Sequence, residues 1–255
     1  MLKRIETKLI RIFESILYFA LVCTFKFIMS IFLVKINVEG KENIPKKGRF
    51  ILAANHQNFF DGFFLGCVTG TAKKVSFVIA RRAVKFKLFR LFLKMTGSVI
   101  IGNEPEEYQR ALKKLNRILT HGGIVGIFPE GNVFNHALPR KFKGGVAKLS
   151  LDSKTRVIPI YLNGTYDLRS IKYLLKRPTI TIRVGKPVDL YNSVNLYKNN
   201  LEELAMVIRE KIIELMGIQE YDNLTTLDSK NISVNELLHE EKKLPEKISK
   251  ISAVR

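Results

Sequence analysis

Two short blocks of the sequence combine residue types that can move protons at the ends of predicted strands. The first reads NHQNFFD over residues 55–61 and directly follows an apolar run. A neutral imidazole can take a proton from a hydroxyl, and a carboxylate on its other ring nitrogen fixes the tautomer and stabilises the imidazolium. On a straight helix, side chains five residues apart diverge. His56 and Asp61 therefore meet only if the chain turns at His56 and a helix begins near Asp61, which we expect.

The second block, IFPEG over residues 127–131, ends another apolar run. Open α/β sheets hold ligands outside the carboxyl ends of their strands, so an acid at this position is a candidate site residue. Glu130 could bind a hydroxyl of an acceptor substrate, or it could hold a loop by accepting backbone N–H bonds. We assign Glu130 and Gly131 to acceptor binding and keep the loop role as the alternative.

A layered α/β fold must position these blocks, because predicted strands alternate with predicted helices. Several of the apolar runs are almost continuous, as in sheets that are covered on both faces. The predicted strands are 50–54, 75–80, 99–101, 124–128, 157–162 and 179–184. The predicted helices are Pro105–Thr120, with Pro at its first position, and Leu201–Met216. The predicted fold is a mixed, largely buried sheet flanked by helices.

An N-terminal membrane-anchoring helical segment is predicted before this sheet. Residues 15–34 are the one long apolar run and contain a single charge, Lys26. Twenty helical residues reach roughly 30 Å, about the thickness of a hydrocarbon core. A spanning helix and a half-inserted one both stay open, because Lys26 can snorkel out of one leaflet. We divide the chain into this segment (1–39), a main domain (40–217) and a polar C-terminal tail (218–255).

The charge and composition restrict the class of protein. Apolar residues make up 46% of the chain, which excludes a disordered protein. Lys and Arg outnumber Asp and Glu by 43 to 23, and such a surplus favours anionic partners. Between Lys73 and Lys94, eight basic residues alternate with large apolar ones, which is typical of a helix at an anionic membrane surface. A basic nucleic-acid-binding protein stays as an alternative, but no nucleic acid is expected because its usual motifs do not occur.

Cysteine chemistry is not predicted. The two cysteines, Cys23 and Cys67, show no pairing pattern, so we expect neither a disulfide framework nor a Cys zinc site, and we assign no metal ligands. Cys67 lies six residues past Asp61 in an apolar run, where packing is a better explanation than nucleophilic attack.

Four blocks of the sequence resemble, in order and spacing, the motifs of the glycerolipid acyltransferases. NHQNFFD resembles the first motif, which is Asn-His followed by four residues and Asp. GSVII (97–101) resembles the start of the second motif, FPEG the third, and VIPI (157–160) the fourth. The resemblance covers about residues 40–190, and the apolar N-terminal segment is similar to the membrane anchors of the family.

The resemblance implies phospholipid synthesis by transfer of a fatty acyl chain from acyl-CoA or acyl-carrier protein to a lysolipid hydroxyl. It implies 1-acyl-glycerol-3-phosphate as the acceptor, His56 as the general base and Asp61 as the residue that orients it. The hydroxyl would attack the thioester directly, and no cofactor is implied besides the acyl donor as co-substrate. The backbone around Pro159 would supply oxyanion donors or support the site. The enzyme would lie at the cytoplasmic face of the cell membrane.

Two positions depart from the family pattern. Asn103 and Val133 stand where the family places Arg residues associated with the phosphate of the acceptor. Either nearby cations replace these arginines or the acceptor carries no phosphomonoester; a protein that binds lipid without turning it over is a further alternative. The cations assigned to acceptor binding are Arg140, Lys141 and Lys143, with Arg81 and Arg82 as further candidates.

Overall fold

Seven strands form one sheet in the computed structural model. The structure describes residues 34–70, 74–84, 97–102, 104–133, 138–169, 176–192 and 200–217, with isolated residues between Leu9 and Phe27 and at Arg90 and Leu93. The strands are β1 Lys35–Glu39, β2 Phe50–Ala54, β3 Val75–Ala80, β4 Val99–Ile101, β5 Ile124–Ile127, β6 Val157–Asn163 and β7 Thr179–Val184. The helices are α1 Asp61–Thr69, α2 Pro105–Thr120, α3 Gly145–Ser153 and α4 Leu201–Met216. The compact unit that contains the sheet ends at Leu215.

The strand order is β1-β7-β6-β2-β5-β3-β4. From β6 to β4 every neighbouring pair is parallel, whereas β7 runs antiparallel to β6 and β1 runs parallel to β7. Because β2, β5 and β3 are adjacent and parallel, their carboxyl ends lie at one edge of the sheet. The chain segments that follow these three strands therefore meet there, as the predicted strand ends require.

The predicted mixed α/β fold with a sheet flanked by helices is confirmed. Four predicted strands have the observed bounds, while β5 ends one residue earlier than predicted and β6 ends one residue later. All five residues of β2 are buried, as expected for a central strand covered on both faces. Helix α2 packs through the apolar stripe that predicted it, with Ala111, Leu112, Leu115 and Leu119 buried.

Strand β1 was not predicted, because its sequence KINVE is not an apolar run. Its residues alternate between exposed and half-buried, and it pairs only with β7, at one edge of the sheet. An edge strand needs only one row of apolar side chains, here Ile36 and Val38, so it carries a weak sequence signal. Residues 35–39 thus form part of the sheet rather than the end of the predicted N-terminal helical segment.

The predicted membrane-anchoring segment lies mostly outside the described residues, as do the tail 218–255 and most of the basic stretch from Lys73 to Lys94. Among the residues that the structure describes, no helix combines the length and the apolar character needed to cross a membrane. Those described before Val34 are helical. Their exposed large apolar side chains are Leu9, Ile12, Phe13, Ile16, Phe19 and Phe27.

Candidate active site

The turn between β2 and α1 brings His56 and Asp61 together. Strand β2 ends at Ala54, and α1 begins at Asp61, so the chain reverses within the block that the sequence singled out. The His56 Nδ1 and Asp61 Oδ2 atoms lie 2.8 Å apart. The same carboxylate oxygen accepts the backbone N–H groups of Gln57 at 2.7 Å and Asn58 at 2.8 Å. The predicted meeting of His56 and Asp61 at a helix start is confirmed.

This geometry determines which nitrogen of His56 can act as a base. The Asp61 side chain is fully buried, and its Oδ2 atom acts as an acceptor toward two backbone N–H groups. His56 Nδ1 therefore donates to the same oxygen, and in the neutral ring the lone pair that can accept a proton is on Nε2. The His56 side chain keeps 17% of its surface exposed, so a substrate can reach it.

Aromatic rings hold the imidazole in its orientation. The His56 ring stacks on Phe128, with centroids 4.0 Å apart and planes 13° apart. Phe77, on β3, lies parallel to Phe128 at 6.3 Å. The Phe77 ring can lie over the neighbouring strand β5 because residue 126 is a glycine: a Cβ on Gly126 would fall 2.3 Å from the ring. The sequence assigned no role to Phe128, although it precedes Pro129 in the second block.

Asn55 ties the start of the turn to β6. Its side-chain amide donates to the Leu162 carbonyl at 2.9 Å, and its side-chain oxygen accepts the Leu162 N–H at 2.7 Å. This buried reciprocal pair continues the β2–β6 pairing by one position beyond Ala54. The main chain just before His56 is therefore fixed to the centre of the sheet.

Glu130 holds two loops together. Its Oε1 atom accepts the His56 backbone N–H at 3.0 Å, and its Oε2 atom accepts the Arg140 backbone N–H at 3.3 Å. The side chain is only 5% exposed, and burial raises its pKa to about 7 even though the two N–H donors and Arg209 act to lower it. Both carboxylate oxygens are engaged by backbone, so the structure favours the loop-holding role of Glu130 over direct acceptor binding.

Arg209, on α4, is a site residue that the sequence did not single out. Its Nε donates to the Pro139 carbonyl at 2.8 Å and to the Arg140 carbonyl at 3.1 Å, and the residue is 8% exposed. One sequence signal was available. Arg209 follows Ala205 by four positions, on the buried face of a helix, where a charged residue is rarely found without partners.

The residues assigned to acceptor binding fall into two groups. Lys143 lies over Gly131, which has a positive φ of +75°: a Cβ on this glycine would fall 3.1 Å from the Lys143 Nζ atom. Arg82 reaches the same place, since its Nη2 donates to the Gly131 carbonyl at 3.4 Å. By contrast, Lys141 forms an ion pair with Glu202 at 2.8 Å.

Arg140 and Arg81 have other partners. Arg140 contributes its backbone N–H to Glu130 and its carbonyl to Arg209. Arg81 forms an ion pair with Glu107 on α2. Of the five cations that the sequence considered, the structure thus brings Lys143 and Arg82 to the loop that carries Glu130.

Pro159 lies inside β6, in register with Ala53 of β2. Its carbonyl accepts the Gly185 N–H at 2.9 Å, and the proline ring has no N–H to offer an oxyanion. Pro159 itself therefore supports the sheet next to the His56 turn, and the oxyanion role of the backbone around it stays a prediction. Cys67 is buried in the core on α1, as expected for a packed thiol.

Comparisons with known proteins agree with this architecture. A 1-acyl-sn-glycerol-3-phosphate acyltransferase of Saccharomyces cerevisiae is 28% identical in an alignment over 218 residues that covers 81% of this chain and 69% of that protein. An enzyme of the same name from Borreliella burgdorferi is 25% identical over 182 residues, or 71% of each chain. The crystal structure of the 1-acyl-sn-glycerophosphate (LPA) acyltransferase PlsC from Thermotoga maritima shares the fold, with a TM-score of 0.57, 20% identity, and coverage of 83% of this chain and 98% of that one.

The family assignment rests on a separate match, to the model of a protein family. The sequence model of the acyltransferase family matches residues 35–163, which is more than half of the 255 residues. The matched region begins at β1, ends with β6 and contains both His56 and Glu130. This chain belongs to the acyltransferase family.

Proposed function

We propose that this acyltransferase transfers a fatty acyl chain from an acyl thioester to the free hydroxyl of 1-acyl-sn-glycerol-3-phosphate. The observation that carries the proposal is the 2.8 Å contact between His56 Nδ1 and the buried Asp61 carboxylate, at the carboxyl edge of the sheet. Relatives that match most of the chain are named for this acceptor, which supports the choice of substrate.

The proposed chemistry is direct transfer. His56 Nε2 takes the proton of the acceptor hydroxyl as its oxygen attacks the thioester carbonyl carbon. A C–O bond forms, the carbonyl becomes an oxyanion, and the imidazolium is stabilised by Asp61 through Nδ1–H. When the intermediate collapses, the C–S bond breaks, and the departing thiolate takes the proton from His56. No acyl-enzyme is needed, in agreement with the buried position of Cys67.

We place the phosphate of the acceptor on Lys143 and Arg82. Both are exposed cations that reach Gly131, the residue after Glu130. The Glu130 carboxylate in turn accepts the backbone N–H of His56. A lysine ammonium and an arginine guanidinium can replace the two family arginines, which are Asn103 and Val133 here. The phosphate would then bind near the hydroxyl that His56 deprotonates.

Lys143→Ala is expected to raise the Michaelis constant for 1-acyl-sn-glycerol-3-phosphate by about tenfold, because one charged hydrogen bond to the phosphate is lost. Arg82→Ala should act in the same direction. The Michaelis constant for the acyl donor should change far less. The measurement is steady-state kinetics with each substrate varied in turn.

Lys148→Ala is the matched control, because Lys148 forms an ion pair with Asp152 on α3 at 3.1 Å. Its replacement should leave acceptor binding unchanged. Wild-type acceptor kinetics in both Lys143→Ala and Arg82→Ala would contradict the proposed phosphate site. The Arg140→Ala/Lys141→Ala double variant, which the sequence favoured for this role, then becomes the next test.

The acceptor class is tested by incubating purified protein with labelled acyl-CoA or acyl-carrier protein and a panel of lysolipids. Labelled phosphatidic acid formed from 1-acyl-sn-glycerol-3-phosphate supports the proposal. Preference for a lysolipid without a phosphomonoester would mean that Asn103 and Val133 mark a changed acceptor. Binding of lipid without product from any donor would favour a non-catalytic lipid-binding protein.

We further propose that the enzyme works at the cytoplasmic face of the cell membrane. Six large apolar side chains on helical residues before Val34 are exposed, which supports contact with a membrane. In a helix that faces only water, such side chains would be buried against the protein or replaced by polar ones. Near the site, Phe59 is 51% exposed, Phe60 39% and Val133 43%. These side chains give the mouth of the site an apolar rim that can accept acyl chains, and the net charge of +20 favours anionic lipid.

Deleting residues 1–33 is expected to reduce co-sedimentation with anionic vesicles by about tenfold or more, because the apolar anchor is removed. The deletion stops before Val34, which is 8% exposed, so that β1 and the Lys35 N–H bond to Pro178 are kept. High salt should weaken any residual binding, which is then electrostatic. Undiminished, salt-sensitive pelleting would show that the basic stretch is the main anchor.

A further inference from the structure

Arg209 and Glu130 form hydrogen bonds with opposite ends of one peptide unit. The Pro139 carbonyl accepts Arg209 Nε at 2.8 Å, and the N–H of the same peptide, which belongs to Arg140, donates to Glu130 Oε2 at 3.3 Å. The peptide is planar and trans, so its C=O and N–H point in opposite directions. Fixing the carbonyl on Arg209 therefore aims the N–H at Glu130.

The other oxygen of Glu130 continues the chain of hydrogen bonds. Its Oε1 atom accepts the backbone N–H of His56 at 3.0 Å. The links thus run from the α4 guanidinium through the Pro139–Arg140 peptide and the Glu130 carboxylate to the main chain of His56. The two charged side chains among these links lie away from water: Arg209 is 8% exposed and Glu130 is 5% exposed. In such surroundings hydrogen bonds that share a group strengthen one another.

We propose that Arg209 is a positioning residue for acyl transfer, which holds the His56 main chain in its productive place through the Pro139–Arg140 peptide and Glu130. The inference rests on the proposed function of His56 as the base. Arg209 lies on α4, beyond residue 163, where the match to the acyltransferase family model ends. It touches no reacting atom, so it acts only through these links.

The charges around Glu130 give this role a measurable signature. The pKa of Glu130 is raised to about 7 as the net result of opposing causes: burial and Asp61 on α1 raise it, whereas the backbone N–H groups of His56 and Arg140, together with Arg209, lower it. An ionised Glu130 accepts both N–H groups, whereas a protonated one must give up one acceptor oxygen. The active form therefore accumulates as pH rises through about 7, and loss of Arg209 moves this rise to higher pH.

The test compares Arg209→Met and Arg209→Lys with wild type, as full-length proteins. At pH 7 we expect Arg209→Met to lower kcat on the order of tenfold to a hundredfold, since small displacements of a catalytic group are costly, with little change in either Michaelis constant. Its rate should rise at a higher pH than that of wild type. Arg209→Lys, which keeps the charge and one donor, should return both kcat and the pH profile toward wild type.

Two further variants separate positioning from general support of the fold. In a Glu130→Gln background, Arg209→Met should no longer shift the pH profile, because the carboxyl that it acts on is gone. Arg183→Met is the matched control: like Arg209, Arg183 donates to a backbone carbonyl, that of Leu215 at 3.1 Å, but its described hydrogen bonds do not lead to Glu130. It should lower thermal stability and leave the pH profile unchanged.

Carbon-13 NMR titration of the Glu130 carboxyl needs no substrate, so it tests the inference even if the acceptor or the proposed reaction is wrong. A higher titration midpoint in Arg209→Met supports the link. An unchanged midpoint in a folded variant overturns it, as does a pH–rate shift of equal size in the Glu130→Gln background. If Arg209→Met does not fold, Arg209→Gln is measured in the same way, and an unchanged midpoint there overturns the inference.

Discussion

His56→Ala is expected to lower acyl transfer by about two to four orders of magnitude, the usual effect of losing a general base. Alanine removes the only proposed acceptor for the proton of the hydroxyl, while Glu130 keeps its bond to the backbone N–H of residue 56. Asp61 keeps both of its backbone donors, so the turn and α1 should persist. The measurement is initial-rate transfer with saturating donor and acceptor, together with circular dichroism and a thermal melt.

His121→Ala is the matched control for this prediction. His121 follows α2, is exposed, and bonds only the nearby Arg117 carbonyl among its described partners, at 2.7 Å. It should leave transfer unchanged. Transfer by His56→Ala within a few-fold of wild type would remove His56 from the mechanism, and with it the direct attack that depends on a base at this position.

The parts of the site that the sequence predicted are those encoded by neighbouring residues. His56 and Asp61 lie in one turn, and the need for a helix to begin at Asp61 follows from their spacing alone. Likewise, the apolar runs of the central strands are visible because both faces of those strands are buried. Strand β1 escaped prediction because an edge strand needs only half as many apolar residues.

The roles of Glu130 and Arg209 could not be decided in the same way. The sequence left Glu130 with two roles, and only the positions of the His56 and Arg140 backbones, 74 and 10 residues away, favour one of them. Arg209 meets the Pro139 carbonyl across 70 residues of chain. Such contacts depend on how α4 packs against the loop after β5, and no local pattern encodes that packing.

The choice among cations was open for a related reason. Five basic residues lie close in sequence to the two motifs, and charge alone does not distinguish them. The distinction comes from their partners: Lys141 pairs with Glu202, and Arg81 pairs with Glu107, whereas Lys143 and Arg82 meet at Gly131. Acidic side chains that lie far away in sequence thus decide which cations reach the site.

Asp61→Asn is expected to lower kcat by about 10⁴, by analogy with other buried Asp–His pairs in which an amide replaces the carboxylate. In one orientation, the asparagine oxygen still accepts hydrogen bonds from the Gln57 and Asn58 N–H groups and from the Nδ1–H of His56. The negative charge that stabilises the imidazolium is nevertheless lost. In the other, the NH₂ group faces His56 Nδ1, so the ring proton must move to Nε2 and the base is lost. The first orientation thus lacks the charge that catalysis needs, and the second lacks the base.

The buried surroundings of Asp61 make this the sharper of the two tests. Its Oδ1 atom has no hydrogen-bond partner in the described structure, so in the first orientation the amide NH₂ would be buried without an acceptor, at a cost of about 1–3 kcal/mol in stability. The melting temperature should therefore fall, although the protein still folds. Asp152→Asn, which alters an exposed carboxylate paired with Lys148, is the control and should keep full activity. A folded Asp61→Asn protein with wild-type kcat and an unchanged pH profile would show that His56 needs neither the charge nor the tautomer that Asp61 provides.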